Sequence, residues 1–114
     1  MINRAAIILK YKEPFVRWIN ASDPFPDDQG ISIEEANEDR TVYLISDEDA
    51  ESYDKWIDSN YKALFENELF NWYTEETLWP KKRTKKMFDE WFRIEFHSVL
   101  IDTVGYEIFD DENE

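Results

Sequence analysis

Between Tyr53 and Trp72 the apolar side chains Tyr53, Trp56, Ile57, Tyr61, Leu64, Phe65, Leu69 and Trp72 recur at steps of three and four. That period is the turn of an α-helix, and it gathers them into one broad stripe. A helix with such a stripe is stable in water only if other elements cover it, so the rest of the chain must supply the cover. Ser46 or Asp47 stands where a cap belongs, and "DEDAE" after it sets carboxylates at the positive end of the helix dipole. Glu51 with Lys55, and Asp58 with Lys62, are four apart on the wet side in the favourable orientation.

The cover is legible as strands and shorter helices. "RAAIILKYK" over 4–12 alternates, with Ala5, Ile7, Leu9 and Tyr11 on one face, and reads as a strand. Pro14 suits the first turn of a helix that presents Phe15, Trp18 and Ile19. "NASDPFPDDQG" over 20–30 holds two of the four prolines and one of two glycines, so it is expected to be the longest irregular stretch. The glycosylation sequon at Asn20 reads as a helix end. "SIEE" at 32–35 fits a capping box opening about two turns of helix. "TVYLI" at 41–45 is β-branched and aromatic, a second strand. After a linker at 73–79, a helix is expected from Pro80 or Thr84 to Phe92, burying Met87, Phe88 and Trp91, with Phe92 a further candidate. "RIEFHSVLIDTV" over 93–104 reads as a third strand, buried in part on both faces.

The order β-α-α-β-α-α-β describes an α+β domain over residues 1–104, a small three-stranded sheet covered by helices, with an acidic tail at 105–114. Enough helix separates consecutive strands for parallel crossovers. Hydrophobic residues make up 42% of the 114 and aromatics 17%, sufficient for a folded core despite the 35% that are charged.

Several chemistries are poorly served. There is no cysteine, and two glycines cannot form a phosphate-cradling loop. A single histidine, His97, rules out a His-pair metal site, and its neighbour Ser98 points to the other face of a strand. "DEDAESYDKWID" has acids spaced as in a calcium loop but lacks its glycine and its closing Glu, so helix-dipole placement explains them better. No metal or cofactor is expected. Glu95 and His97 share a strand face, the one general-base pairing available.

Charge narrows the partners. Thirteen basic residues against 27 acidic give a net −14, which repels nucleic acid and anionic membrane and favours a basic protein partner. Arg4, five apolar residues and Lys10 make the start of the chain too short a run for a signal peptide or membrane span, so a cytoplasmic setting is expected. Against this background "LWPKKRTKKMF" packs five basic residues into Lys81–Lys86. Asp89 and Glu90 stand four residues beyond Lys85 and Lys86 and can neutralise them. Lys81, Lys82 and Arg83 fall at or before a helix start, with Trp79 beside them as a stacking surface. They can balance carboxylates such as those of "EET" at 75–77, dock an acidic surface that includes a second copy, or bind an anion.

"NEDRTVYLI", "FENELFNWYTEETLWPKKR" and "MFDEWFRIEFHS" resemble a family of small, acidic, uncharacterised bacterial proteins, and the likeness spans residues 4–104. The resemblance implies a stand-alone domain and carries no activity to transfer. The expected function is therefore that of a non-enzymatic acidic protein-binding domain, since Trp and Tyr exceed what a small core needs and favour interfaces. The alternative is a small-anion-binding or enzymatic domain built on the basic island at the helix start, with His97 and Glu95 as general base.

Overall fold

A computed structural model describes residues 1–25 and 30–111. Strand β1 runs Arg4–Tyr11, helix α1 Glu13–Ser22, α2 Ile33–Ala36, β2 Val42–Ser46, α3 Asp47–Ala50, α4 Tyr53–Trp72, α5 Lys85–Trp91 and β3 Phe92–His97. A 3₁₀ turn at Glu76–Leu78 interrupts the linker before α5. The fold is α+β, with the element order expected except that the long helix is broken.

The strands form one antiparallel sheet in the order β2-β1-β3, so the parallel pairing that the crossover lengths allowed is not used. β1 is the central strand, and its register pairs Ile8 with Val42 on one side and with Glu95 on the other. Pleating sends Ala5, Ile7, Leu9 and Tyr11 to the helices, where all are buried in the core cluster. The opposite face carries Ala6, Ile8, Lys10, Val42, Leu44, Arg93, Glu95 and His97 by register, and none of these joins that cluster. The helices therefore cover one face of the sheet.

Aromatic rings fill the space between sheet and helices. Tyr11 stacks on Phe15 at 4.0 Å, and Phe92 meets Phe65 edge-on at 5.1 Å and Phe88 at 4.9 Å. Trp18 and Trp79 are buried, and Trp56, Trp72 and Trp91 pack against the same cluster. All five tryptophans are thus used by the core, so of the Trp and Tyr that motivated an interface it is Tyr106 that stays well exposed. Their N–H groups are satisfied where burial demands it: Trp18 donates to the Leu78 carbonyl, Trp72 to the Tyr11 hydroxyl and Trp79 to the Tyr73 carbonyl.

Three further expectations change. Ser46 accepts from the Asp49 N–H as a cap, yet it opens only the short α3, and the chain kinks at Ser52 before α4 begins. Just after this break, Tyr53 at the start of α4 stacks on Phe96 of β3 at 4.2 Å. Asp58 pairs with Lys85 across to α5 at 3.3 Å instead of with Lys62. The third strand ends at His97, and 98–111 runs on without helix or strand, longer than the irregular stretch foreseen at 20–30. Positions 26–29 of that loop, and 112–114 of the tail, lie outside the described residues.

The capping box at Ser32 and Glu35 forms as expected, but α2 is one turn long. Asn37 follows it and replaces a missing strand. Its side chain accepts from the Tyr11 N–H at 2.9 Å and donates to the Tyr11 carbonyl at 3.1 Å, beyond the point where pairing with β2 ends. Asn20 makes a similar clip on Ile31, at 2.8 and 3.0 Å, so its amide is a structural tie.

Candidate functional site

The basic island does not sit on a helix as a whole. Thr84 is the N-cap of α5, its hydroxyl oxygen accepting from the Met87 N–H at 3.1 Å, so Lys81, Lys82 and Arg83 lie in the extended approach. With seven residues, α5 offers little dipole, and its first turn is already served by Thr84. What the structure places there is a hollow of about 330 Å³ lined by Tyr61 and Lys62 of α4 and by Lys81, Lys82, Arg83 and Thr84. Lys62 was not foreseen as part of it, because α4 and the approach to α5 meet only through tertiary packing.

Within the island the cations divide. Arg83 donates to Glu66 at 2.9 Å and to the Pro80 carbonyl at 2.7 Å, fastening the approach to α4. Its partner is therefore Glu66 across the helix packing, and not the "EET" carboxylates nearby in sequence. Arg83 Nε is buried without a hydrogen bond. Lys85 is held by Asp89 at 2.9 Å, as expected from spacing, and by Asp58. The hydrogen bond to Asp89 comes first among the causes that raise its pKa above the usual lysine value. Lys86 forms no ion pair with Glu90, and no carboxylate reaches ion-pair distance of Lys62, Lys81 or Lys82 among the described residues. Charge balance thus accounts for Arg83 and Lys85 and leaves the other three island cations unspent.

Trp79, which by sequence could be either a stacking surface or a core residue between helices, is a core residue with 8% exposure, and the Arg83 guanidinium lies 5.9 Å from its ring centre. Its ring packs in the core and its N–H is taken by the Tyr73 carbonyl. His97 and Glu95 do meet, Nε2 to Oε2 at 2.9 Å, on the open face of the sheet. The hydrogen bond from His97, ahead of the other influences, holds the Glu95 carboxyl below its usual range. Cross-strand from them stand Ala6 and Ile8, which carry no side-chain polar group, and neither member of the pair lines the basic hollow. The pair and the island are two separate places.

Sequence reasoning missed the most heavily engaged polar cluster. Glu68 is fully buried inside the apolar stripe of α4, four residues from both Leu64 and Trp72. It accepts from Arg40, from the Tyr11 hydroxyl at 2.7 Å and from the Tyr43 hydroxyl. Arg40 also lies 3.8 Å over the Tyr11 ring and donates to the Leu9 carbonyl. Burial first, and then the Glu68 charge, push both tyrosine hydroxyls above their ordinary range. The signal was a charged residue at an inward position of the stripe. Sealed by its own partners, this cluster ties β1, β2 and α4 together.

The second missed feature is the segment after β3. Val99, Ile101, Val104, Tyr106, Ile108 and Phe109 are each more than half exposed, and the segment touches the body through a hydrogen bond from the Ile2 N–H to the Leu100 carbonyl. Among the described residues no group of three metal-binding side chains could hold an ion, and no helix is long and apolar enough to cross a membrane. Comparison with family models, with curated proteins and with solved structures finds no match to the chain.

Proposed function

We propose that this protein works without catalysis, as an acidic module that binds another protein through the segment 98–111. The observation that carries the reading is the run of large apolar side chains held in water along that segment. Exposed apolar residues scattered singly need no explanation, but a contiguous set on a segment without helix or strand favours a protein surface as its cover. Residues 98–111 also carry Asp102, Glu107, Asp110 and Asp111 and no basic residue. The matching partner surface is an apolar groove with a basic rim, and the net charge of −14 would speed its encounter. A second copy of this chain is a poorer match at long range, since like net charges repel.

The test is capture by the immobilised chain at low and high salt, alongside the triple variant Ile101→Ser, Tyr106→Ser, Ile108→Ser. A partner held by the native chain, lost with the variant and weakened by salt is the expected result. A partner retained equally by both chains, or none at low salt, would overturn the proposal. Sedimentation of the same two chains reads self-association directly.

A further inference from the structure

We propose that the hollow between α4 and the approach to α5 binds a small multivalent anion, of the class that carries two or more adjacent phosphoryl groups. The inference stands on three observations about that place. Lys62, Lys81 and Lys82 converge on it with no carboxylate at ion-pair distance among the described residues, although the chain has 27 acids. The walls are fixed: Arg83 is tied to Glu66 and Pro80, and Tyr61 packs edge-on against Phe88 at 6.0 Å. Thr84 accepts from the Met87 N–H through its oxygen and keeps its own O–H to donate.

The count of charges selects the ligand. Glu66 offsets Arg83, so the three lysines are the charge left to be matched, more than a single carboxylate supplies. Flexible ammonium groups bind phosphoryl oxygens as point charges and need no fixed planar geometry. At about 330 Å³ the hollow is at the small end of ligand sites, which suits a diphosphate group with little attached. Size also answers the objection of net charge. A compact anion inside the hollow lies within about 10 Å of the lysines, where salt screens it from much of the distant acidic surface. A long nucleic acid would lie along that surface and be repelled.

Pyrophosphate is the probe, with orthophosphate at matched ionic strength and a hexaglutamate peptide as comparisons. Pyrophosphate at ten times its Kd is expected to raise the melting temperature by about 5 °C. Lys62→Gln, Lys81→Gln and Lys82→Gln should each weaken its Kd about tenfold, the scale of one charge-assisted hydrogen bond. Lys86→Gln, outside the hollow, should leave it unchanged. All four positions are surface lysines, so folding is not at stake. Absence of a shift at millimolar pyrophosphate overturns the proposal, as does equal weakening by Lys86→Gln. Hexaglutamate binding as tightly as pyrophosphate overturns it in favour of an acidic protein at the same lysines.

Discussion

At Glu68 a carboxylate is held at full burial among leucine and phenylalanine side chains, a position tolerable only because its oxygens accept from Arg40, Tyr11 and Tyr43. Removing the cation alone leaves that charge uncompensated. Arg40→Ala is therefore expected to cost about 3–5 kcal/mol in urea unfolding, whereas Arg40→Leu with Glu68→Leu together should recover part of the loss, the remainder being the Tyr11 and Tyr43 hydroxyls left without their acceptor. Equal losses in the single and double variants would mean the pair is not what the site depends on. The tyrosines add a pH dependence of defined sign. Burial and the Glu68 charge raise the folded-state pKa of Tyr43 above the 10.0 of an exposed tyrosine. Below that pH both states keep the proton and the contribution is intact. As pH rises past it, the unfolded chain ionises first, so stability falls. Urea midpoints measured upward from pH 10 should decline, and more shallowly in Tyr43→Phe than in the native protein.

Elements are joined by side chains that imitate backbone. Asn37 continues the ladder of β1 past the end of β2, and Asn37→Ala orphans the Tyr11 N–H and C=O together. The expected loss is about 2 kcal/mol, with faster hydrogen exchange at the Tyr11 amide. Asn37→Asp keeps the acceptor and loses the donor, so it should fall between. The second clip, Asn20 on Ile31, depends on Gly30, whose φ is +64° and where an added Cβ would stand 2.6 Å from Asn20 Oδ1. Gly30→Ala should destabilise by about 1–2 kcal/mol through that contact and the left-handed backbone. Thermal unfolding no lower than the native midpoint would show that the loop rearranges freely.

For the molecule as a whole, the radius of gyration is 15.9 Å, against about 13 Å for a compact chain of this length. The excess belongs with the exposed 98–111 segment, which contributes no residue to the core cluster. A chain ending at Leu100 should keep its unfolding free energy within about 0.5 kcal/mol, while small-angle scattering reports a more compact particle. A large loss of stability would instead make the segment part of the fold.

Periodicity and local chemistry were enough to place β1, the Pro14 helix, the capping box, the stripe of α4 and the tie between Lys85 and Asp89, because each depends on neighbours within a turn or a pleat. The fold class followed from their order. What chain-local rules could not supply was any pairing between distant residues. Antiparallel strand order, the stacking of Tyr53 on Phe96 and the Asp58 to Lys85 bridge all come from packing between elements. The same holds for the sites. The sequence by itself marked Lys81, Lys82 and Arg83 as unusual in an acidic chain. Tertiary structure bound Arg83 to Glu66, buried Trp79, and brought Lys62 up to the two remaining lysines. It also ended β3 at His97, paired with Ala6 two residues short of the N-terminal end of β1, and left the apolar residues that follow in water.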